Sequence, residues 1–353
     1  MKHFFLLSLI SLSLSAFAAI DEVWGPTSHP DIMAEGQERN FYAFPLRATI
    51  IDGQKFWSGD YWANNRGNIN KRWNSDSQKG WNLRSPSPME ARSMSMEELA
   101  TLSPTEKYDI WVGRYDYPVK ALVYSEAANG RAEDWEGICH GWAPATMNHH
   151  EPTPKTMTSV DGINVPFGSS DIKALLSYYY AFGFQVENTH QTGSRCFGGG
   201  LFSSRRKCPR DLNAGAFHII LGNRIGLMGV GFIADIDKSD EVWNHPIKSY
   251  SSEVVDRKKP KRDSAYGTAY IVRVKTVMTY IDESDGNFWS PILGTQEQIE
   301  KTKKYEYDLD LSASGEILGG EWKSGDRPDF LWIKEKPAAF EGYFARLGEL
   351  LND

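Results

Sequence analysis

The clearest hydrophobic pattern in the chain lies in the stretch SSDIKALLSYYYAFG. Its apolar residues Ile172, Leu175, Leu176 and Tyr179 recur at intervals of three and four positions, which is the spacing of one face of an α-helix. A Ser-Ser-Asp start supplies capping oxygens, and Gly183 is a residue type that ends helices. The pattern predicts a helix whose apolar face packs on the core.

Two shorter helices are predicted upstream, in SMSMEELATLSPTEKYDIW. Ser93 or Ser95 precedes Glu97 and Glu98, so either serine can cap a first helix. Pro104 favours the first turn of a second helix, because proline has no N–H to leave unpaired there. The first half of the chain is therefore expected to be largely helical.

The second half alternates between apolar and polar residues, as strands do. AYIVRVKTVMTYID predicts one strand, and KYEYDLDLSASGEILGGEW predicts a hairpin that closes at residues 313–315. AFHIILGNR and GFIADID predict another antiparallel pair, with a turn near Gly222 and Asn223 or somewhat later. Helices followed by an antiparallel sheet indicate an α+β fold.

Residues 1–18 have the pattern of a secretory signal peptide. Lys2 is followed by an apolar run and then by Ala16-Phe17-Ala18, a small-residue cleavage pattern. We therefore expect cleavage after Ala18 and a secreted or periplasmic protein. Residues 19–353 are expected to form a single domain, in which residues 19–130 are either the first half or an N-terminal subdomain or pro-region.

The charge balance argues against nucleic acid and anionic membranes as partners. The chain contains 39 Lys and Arg against 46 Asp and Glu, a formal net charge of −7. An acidic protein lacks the basic surface that such polyanions require. Beyond the signal segment no apolar run approaches the roughly 20 residues that span a membrane, so no membrane span is predicted.

The chain has three cysteines, an odd number for an exported protein, in which cysteines usually pair. Cys196 and Cys208 flank a glycine-rich loop of the kind that a disulfide closes, so we expect these two to pair. That pairing leaves Cys139 free. Neither C-x-x-C nor H-x₃₋₅-H spacing occurs near the cysteines, so no metal site is predicted there.

Cys139 lies in DWEGICHGWAPAT, between Gly137 and Gly141 and flanked by Trp135 and Trp142. The segment predicts a helix that begins close to the cysteine. A helix N-terminus favours a thiolate, because its unpaired N–H groups and its dipole are positive there. A free cysteine can instead be a small buried apolar residue, but this setting favours a nucleophile.

A cysteine nucleophile needs a histidine to move protons and a third group to orient that histidine. His218 is predicted on the strand AFHIILGN, and Asp235 and Asp237 end the next strand. On neighbouring antiparallel strands His218 and one aspartate can lie side by side. The order Cys139, His218, Asp235 is that of papain-like and transglutaminase-like enzymes, with Asp237 as the alternative orienting residue.

The remaining histidines are weaker candidates for this role. His140 adjoins the cysteine, and adjacent residues on a helix point in different directions. His149 and His150 lie at the far end of the same predicted helix. His190 and His245 are predicted in a loop and a turn.

Several segments resemble the transglutaminase elicitor family, secreted enzymes best known from oomycete plant pathogens, with bacterial relatives. WEGICHGWAPA resembles the nucleophile motif of that family, and FIADIDKSDEVWNHPI resembles its segment after the catalytic aspartate. LSPTEKYDI, WSGDYW…GNINKRW and GEILGGEWKSGDRPDFLW are also similar, so the resemblance covers roughly residues 40–335. His245 departs from the elicitor core V-W-N-Q-P, which has glutamine at this position.

The resemblance implies a papain-like cysteine fold and a protein-glutamine γ-glutamyltransferase, which forms a thioester on Cys139 and passes the acyl group to an amine. His218 would be the base and acid, and Asp235 would orient it. The partners would be proteins with an exposed glutamine, together with an amine donor. The tryptophans that would wall the site and keep water out are Trp135, Trp142 and Trp243.

The residues predict no cofactor, but the calcium dependence of the family leaves Ca²⁺ open. DKSDEVWNHPIK contains carboxylates and lacks the spacing and the glycine of an EF-hand. Any Ca²⁺ would therefore occupy an irregular site.

Two other functions stay open on the residues alone. A secreted cysteine peptidase, amidase or deamidase would use the same triad, and only the family resemblance favours the transferase. A non-catalytic binding protein could use the tryptophan-rich residues 57–82 to hold a glycan or a peptide. A free thiol with a histidine and an aspartate argues against the binding protein.

Overall fold

The structure is a computed structural model, and it describes residues 23–33, 36–51, 55–75, 81–184, 189–195, 212–284 and 286–351. The predicted signal peptide and the predicted Cys196–Cys208 pair lie outside these residues, so both stay predictions. No helix in the described part of the chain is long and apolar enough to cross a membrane.

An antiparallel sheet of eight strands lies at the centre of the described residues, in the order β4-β10-β5-β6-β7-β8-β9, with β1 paired to β6. Strands β5 to β9 follow one another as a meander, whereas β10 returns to lie between β4 and β5. A separate hairpin joins β2 and β3. The strands are β1 Arg47–Thr49, β2 Lys155–Thr158, β3 Asn164–Phe167, β4 Thr189–Gly193, β5 Phe232–Asp235, β6 Asn244–Lys258, β7 Tyr270–Ile281, β8 Glu300–Leu311, β9 Ile317–Trp322 and β10 Phe330–Lys334.

Most helices precede the sheet in the chain, as predicted. Three short ones begin with capping boxes, in which Ser87, Ser95 and Ser103 exchange hydrogen bonds with a glutamate three residues later. The cap at Ser95 and the helix start at Pro104 are confirmed. The helices are α1 Pro88–Ser93, α2 Met96–Ala100, α3 Pro104–Trp111, α4 Pro118–Glu126, α5 Cys139–Asn148, α6 Ser169–Tyr178 and α7 Ala214–Leu221.

The two faces of the sheet pack against different elements. Because side chains alternate along a strand, Ile233 of β5 belongs to a core shared with α5 and α6. Its neighbours Phe232 and Ala234 belong to a second core shared with α7. Helices α5 and α7 therefore lie on opposite faces of the sheet.

Several predicted elements are confirmed. Helix α6 covers the SSDIKALLSY stretch and continues as a π-helical turn, Tyr179–Gly183, which ends at the predicted glycine. Strand β7 and the β8–β9 hairpin match their alternating patterns. Gly315 closes that hairpin with a φ of 91°, a left-handed conformation that favours glycine. The mixture of helices and an antiparallel sheet confirms the α+β class.

The strand predicted around His218 is wrong, because AGAFHIIL forms helix α7. The side chain of Asn213 accepts a hydrogen bond from the Gly215 N–H at 2.8 Å, and so caps the helix. The helix is buried along its whole length, which explains its continuous apolar run. The predicted turn at Gly222 and Asn223 belongs instead to a π-helical continuation, Gly222–Leu227.

Candidate active site

Cys139 is the first residue of α5, as predicted, and it is buried. The two glycines beside it allow neighbouring backbone to come close. A Cβ added to Gly137 would lie 2.4 Å from the carbonyl oxygen of Tyr61, and one added to Gly141 would lie 2.0 Å from that of Ser177 in α6. The glycines therefore seat the start of α5 against its surroundings and fix the position of the cysteine.

The sulfur of Cys139 is enclosed by the start of β6 and the residues before it. Its Sγ donates to the carbonyl oxygen of Val242 at 3.6 Å, and it accepts from the Nδ2 of Asn244 at 3.5 Å. Burial, followed by the nearby Glu283 charge, raises the pKa of the Cys139 thiol to about 11, although the hydrogen bonds from Asn244 oppose this. Burial thus outweighs the helix N-terminus, and the thiol is neutral at pH 7.

The amide of Asn244 has a fixed orientation. Its Oδ1 accepts a hydrogen bond from the indole Nε1 of Trp332 at 2.8 Å. An indole N–H can only donate, so the oxygen must face Trp332 and the NH₂ group must face Cys139. Both side chains are buried, Asn244 with 4% and Trp332 with 7% of its surface exposed.

Asp235 lies on the same face of the sheet as Asn244, because the two residues are directly opposite each other in β5 and β6. Its Oδ1 accepts from the backbone N–H of Trp243 at 3.2 Å. Its Oδ2 is buried without a hydrogen-bond partner among the described residues. Burial raises the pKa of Asp235 to about 8, so the carboxyl is protonated at pH 7. The structure thus brings Asp235 to the same side of the sheet as Cys139.

His218 is not part of this group. Its ring stacks on Phe41 at a centroid distance of 5.3 Å, and its Nδ1 shares a hydrogen bond with the Tyr307 hydroxyl at 2.8 Å. Both partners belong to the core on the α7 face of the sheet. The predicted arrangement of His218 beside Asp235 on a neighbouring strand is wrong, because the sheet separates α7 from α5 and from the side chain of Asp235. Burial lowers the pKa of His218 to about 3.

His245 lies opposite Ala234 of β5, whose side chain belongs to the core on the α7 face, and its ring contacts Tyr280 of that core at a centroid distance of 4.6 Å. It follows Asn244 in β6, and its ring meets that of Trp142, one turn after Cys139 in α5, at a centroid distance of 6.4 Å. Its Nδ1 lies 3.1 Å from the carbonyl oxygen of Ile281 and 3.5 Å from the Oδ1 of Asp282. The carbonyl can only accept, so Nδ1 carries the proton.

Burial lowers the pKa of His245 to about 4, although the Asp282 charge opposes this. The ring is therefore neutral at pH 7, and Nε2 carries a lone pair. Sequence patterns missed this residue because Trp-Asn before it suggested a turn. Pro246 gave a usable signal, since proline is tolerated near the first residue of a strand, and here β6 begins at Asn244.

Asp282 and Glu283 follow β7 and form a carboxyl pair beside His245. Burial raises the pKa of Asp282. Its hydrogen bonds with Glu283 and Lys301 lower that pKa by more than burial raises it, so the net shift is downward. Burial and the Asp282 charge raise the pKa of Glu283 well above its usual value. Asp282 is therefore the more acidic member of the pair.

Among the described residues, His245, Asp282 and Glu283 form one group whose ligand atoms lie within 4.8 Å of one another and could hold a metal ion. The donor set does not fit Ca²⁺, which takes six to eight oxygen ligands. It offers one nitrogen and two carboxyl groups, and Lys301 already contacts Asp282.

The other predicted site residues have separate positions. Trp142 is buried and donates from Nε1 to the carbonyl oxygen of Trp57 at 3.3 Å. Trp243 is partly exposed and packs edge-on against Tyr61 at 5.2 Å. Trp135 is partly exposed before α5. Asp237 contacts Lys303 at 3.3 Å and caps the N–H of Ser239, so it is held at the surface rather than beside a histidine.

Comparisons with known proteins agree with this architecture. A family model described as Transglutaminase elicitor matches residues 124–342. The crystal structure of the GP42 transglutaminase from Phytophthora sojae is similar, with a TM-score of 0.68 and 22% sequence identity over 92% of this chain and 98% of that one. No curated protein matches the chain.

Proposed function

The chain belongs to the transglutaminase elicitor family, and from this premise we propose that it is a protein-glutamine γ-glutamyltransferase with Cys139 as its nucleophile. One observation carries the proposal. A buried thiol at the start of α5 faces the amide of Asn244, and Trp142, one turn after that thiol, contacts the ring of His245, which Asp282 holds. Nucleophile, base and orienting group then follow the chain order Cys139, His245, Asp282.

The protonation states define the first step. Cys139 and His245 are both neutral at pH 7, so the thiol has to lose its proton as it attacks the γ-carboxamide of a glutamine. The Nε2 of His245 accepts that proton, while Ile281 and Asp282 hold Nδ1. His245 then protonates the departing ammonia, which leaves a thioester on Cys139 and a neutral imidazole.

The second step reverses the roles. A primary amine attacks the thioester carbon and gives its proton to His245 Nε2, and the proton returns to the sulfur as the amide bond forms. Water would give hydrolysis by the same route. Trp142, one turn after the thiol in α5, and Trp243, between Val242 and Asn244, are the proposed aromatic walls that would favour the amine by keeping water from the thioester. The substrates are then a protein with an exposed glutamine and an amine donor.

The assignment of the base is specific to this chain, because the elicitor core that it resembles has glutamine at position 245. His245→Gln therefore replaces the proposed base by the residue found in that core. We expect this variant to lose on the order of 10²–10⁴-fold in kcat. His218→Gln is the matched control, since it removes a buried histidine on the other face of the sheet.

The test uses purified protein, casein as the glutamine donor and a fluorescent primary amine, with and without Ca²⁺. Label should appear with wild type and disappear with Cys139→Ala. It should fall strongly with His245→Gln and stay within a few-fold of wild type with His218→Gln. Ammonia release or peptide cleavage that depends on Cys139, without label, would change the assignment to a hydrolase.

Two other results would change the residue roles or the function. Full activity of His245→Gln with loss in Asp235→Asn would give the acid–base role to Asp235. The absence of any Cys139-dependent product, together with an inert thiol, would favour a binding protein.

We also propose that the protein is exported, secreted or periplasmic, after cleavage following Ala18. The support is the residue pattern of positions 1–18. Sequencing the N-terminus of the protein recovered from the culture medium or the periplasm tests this, and an N-terminus at Met1 would contradict it.

A further inference from the structure

We propose that Asn244 supplies a side-chain hydrogen bond to the oxyanion that forms during acyl transfer, and that Trp332 positions it. The inference rests on the proposed function, since it concerns the tetrahedral intermediate on Cys139. Attack by sulfur converts the substrate carbonyl oxygen to an oxyanion, and that negative charge needs donors already aimed at it.

The Nδ2 of Asn244 has the required position. It lies 3.5 Å from Sγ, and only one carbon atom separates Sγ from the oxyanion in the intermediate. A donor that points at the sulfur in the free enzyme is therefore within reach of the oxygen once the carbonyl carbon is bound. The backbone N–H of Cys139 is a second donor, because the first N–H groups of a helix have no intrahelical partner.

The side-chain amide of Asn244 is already oriented before the reaction begins. Trp332 donates to Oδ1 at 2.8 Å, which directs the NH₂ group towards the cysteine. Trp332 is in β10 and Asn244 is in β6, so the indole reaches across the intervening strand β5. Asn244, Trp332 and Cys139 all lie in strands or a helix, which fixes their positions. Such preorganisation is what makes an oxyanion donor effective.

The neighbouring carboxyl does not oppose this role at neutral pH. Asp235 lies opposite Asn244 in the register and is on the same face. Its carboxyl is protonated at pH 7, because burial raises its pKa to about 8. The intermediate therefore forms without a second negative charge directly beside the donor.

The test compares acyl transfer with simple alkylation in the same variants. Alkylation by iodoacetamide needs the sulfur but forms no oxyanion. Asn244→Ala should lower kcat for amine incorporation by about 10²–10³-fold, the usual effect of removing one oxyanion donor. Its alkylation rate should stay within about tenfold of wild type, since the lost hydrogen bond changes the thiol pKa by about one unit at most.

Trp332→Phe keeps an aromatic ring and removes the N–H, so it should give a smaller loss of kcat with alkylation unchanged. It also keeps the inference testable if Asn244→Ala fails to fold. Asn148→Ala is the matched control, because Asn148 bridges α5 to the Lys334 carbonyl of β10 at 2.9 Å without touching the thiol.

Unchanged kcat in Asn244→Ala, or an equal fall of kcat and alkylation, would overturn the role of Asn244 while leaving the transferase intact. If wild type gives no label at all, the proposed function fails first. The two failures are thus distinguishable in one set of assays.

Discussion

Asp235 is buried on the face of the sheet that carries Cys139, and burial favours its protonated form. One oxygen accepts from Trp243, and the other has no partner among the described residues. An unpaired buried carboxylate is costly, so the fold favours the neutral acid. Ionisation of Asp235 therefore makes the stability of the folded protein depend on pH.

Asp235→Asn should stabilise the protein at pH 7 and flatten its pH dependence. The folded pKa of about 8 lies above the unfolded value of 3.8, so the native state binds one more proton between these limits. The contribution of Asp235 to the free energy of unfolding is then highest at low pH. It falls by about 1.4 kcal/mol per pH unit as the pH rises from 4 to 8.

Denaturant unfolding of wild type and Asp235→Asn at pH 5 and pH 8 measures this difference. Asparagine keeps an acceptor for Trp243 and cannot ionise, so the gap between the two proteins should widen with pH. A constant gap would mean that Asp235 is ionised in the folded protein.

Sequence patterns predicted some residues around Cys139 and missed others. Cys139 was predictable, because a free thiol between glycines at a helix start is an unusual local pattern. The proposed base, His245, was not predictable, because the contact of a histidine with the elements around Cys139 depends on which face of the sheet each element occupies. A helix–strand error at His218 placed that residue on the wrong side of the sheet, and the predicted turn concealed His245.

At the scale of elements, the β5–β6 loop, residues 236–243, covers the thiol. Val242 accepts from Sγ, and Trp243 packs on Tyr61 and donates to Glu241. Cys139 is only 4% exposed beneath it. The glutamine side chain of the proposed substrate would reach the sulfur only after this loop moves, so the described conformation is closed over Cys139.

Trp243→Ala should loosen the loop and expose the thiol. We expect faster alkylation by iodoacetamide, together with a larger share of hydrolysis relative to amine incorporation, because an aromatic wall is lost. Tyr266→Ala is a suitable control, since Tyr266 is 92% exposed and lies in the β6–β7 connection. Alkylation that is no faster in Trp243→Ala would show that another segment limits access.

The elements that could be predicted from the sequence were those with a regular hydrophobic repeat or with a capping box. Strand β7 alternates between buried and less buried positions from Val272 to Tyr280, and the helices after Ser95 and Ser103 carry their capping boxes in the sequence. Helix α7 was not, because a continuous apolar run fits a buried helix as well as a buried strand. Only its packing between the sheet and the N-terminal segment decides the outcome.

For the whole molecule, the residues before the nucleophile contribute to both cores. Trp24 and Phe41 belong to the core on the α7 face, and Trp57 belongs to the core on the α5 face. The backbone N–H of Trp57 donates to Thr146 of α5 at 2.6 Å, and its indole donates to the carbonyl oxygen of His149 at 3.0 Å. These contacts favour an integral first half over a removable pro-region.

We therefore expect the protein to unfold in one transition. Guanidinium unfolding followed by tryptophan fluorescence and by protection of Cys139 from alkylation should give coincident midpoints, because the same cores hold both halves. Two separated transitions would indicate that residues 19–130 form a subdomain that folds by itself.

The position of β10 has a consequence for the order in which activity appears during synthesis. This strand leaves the ribosome after all its neighbours in the sheet, yet it inserts between β4 and β5 and carries the indole that holds Asn244. A nascent chain that ends before residue 330 has its thiol but lacks the indole that fixes the proposed oxyanion donor, Asn244. On this basis the proposed transfer activity would reach its full rate only once this last strand has joined the sheet.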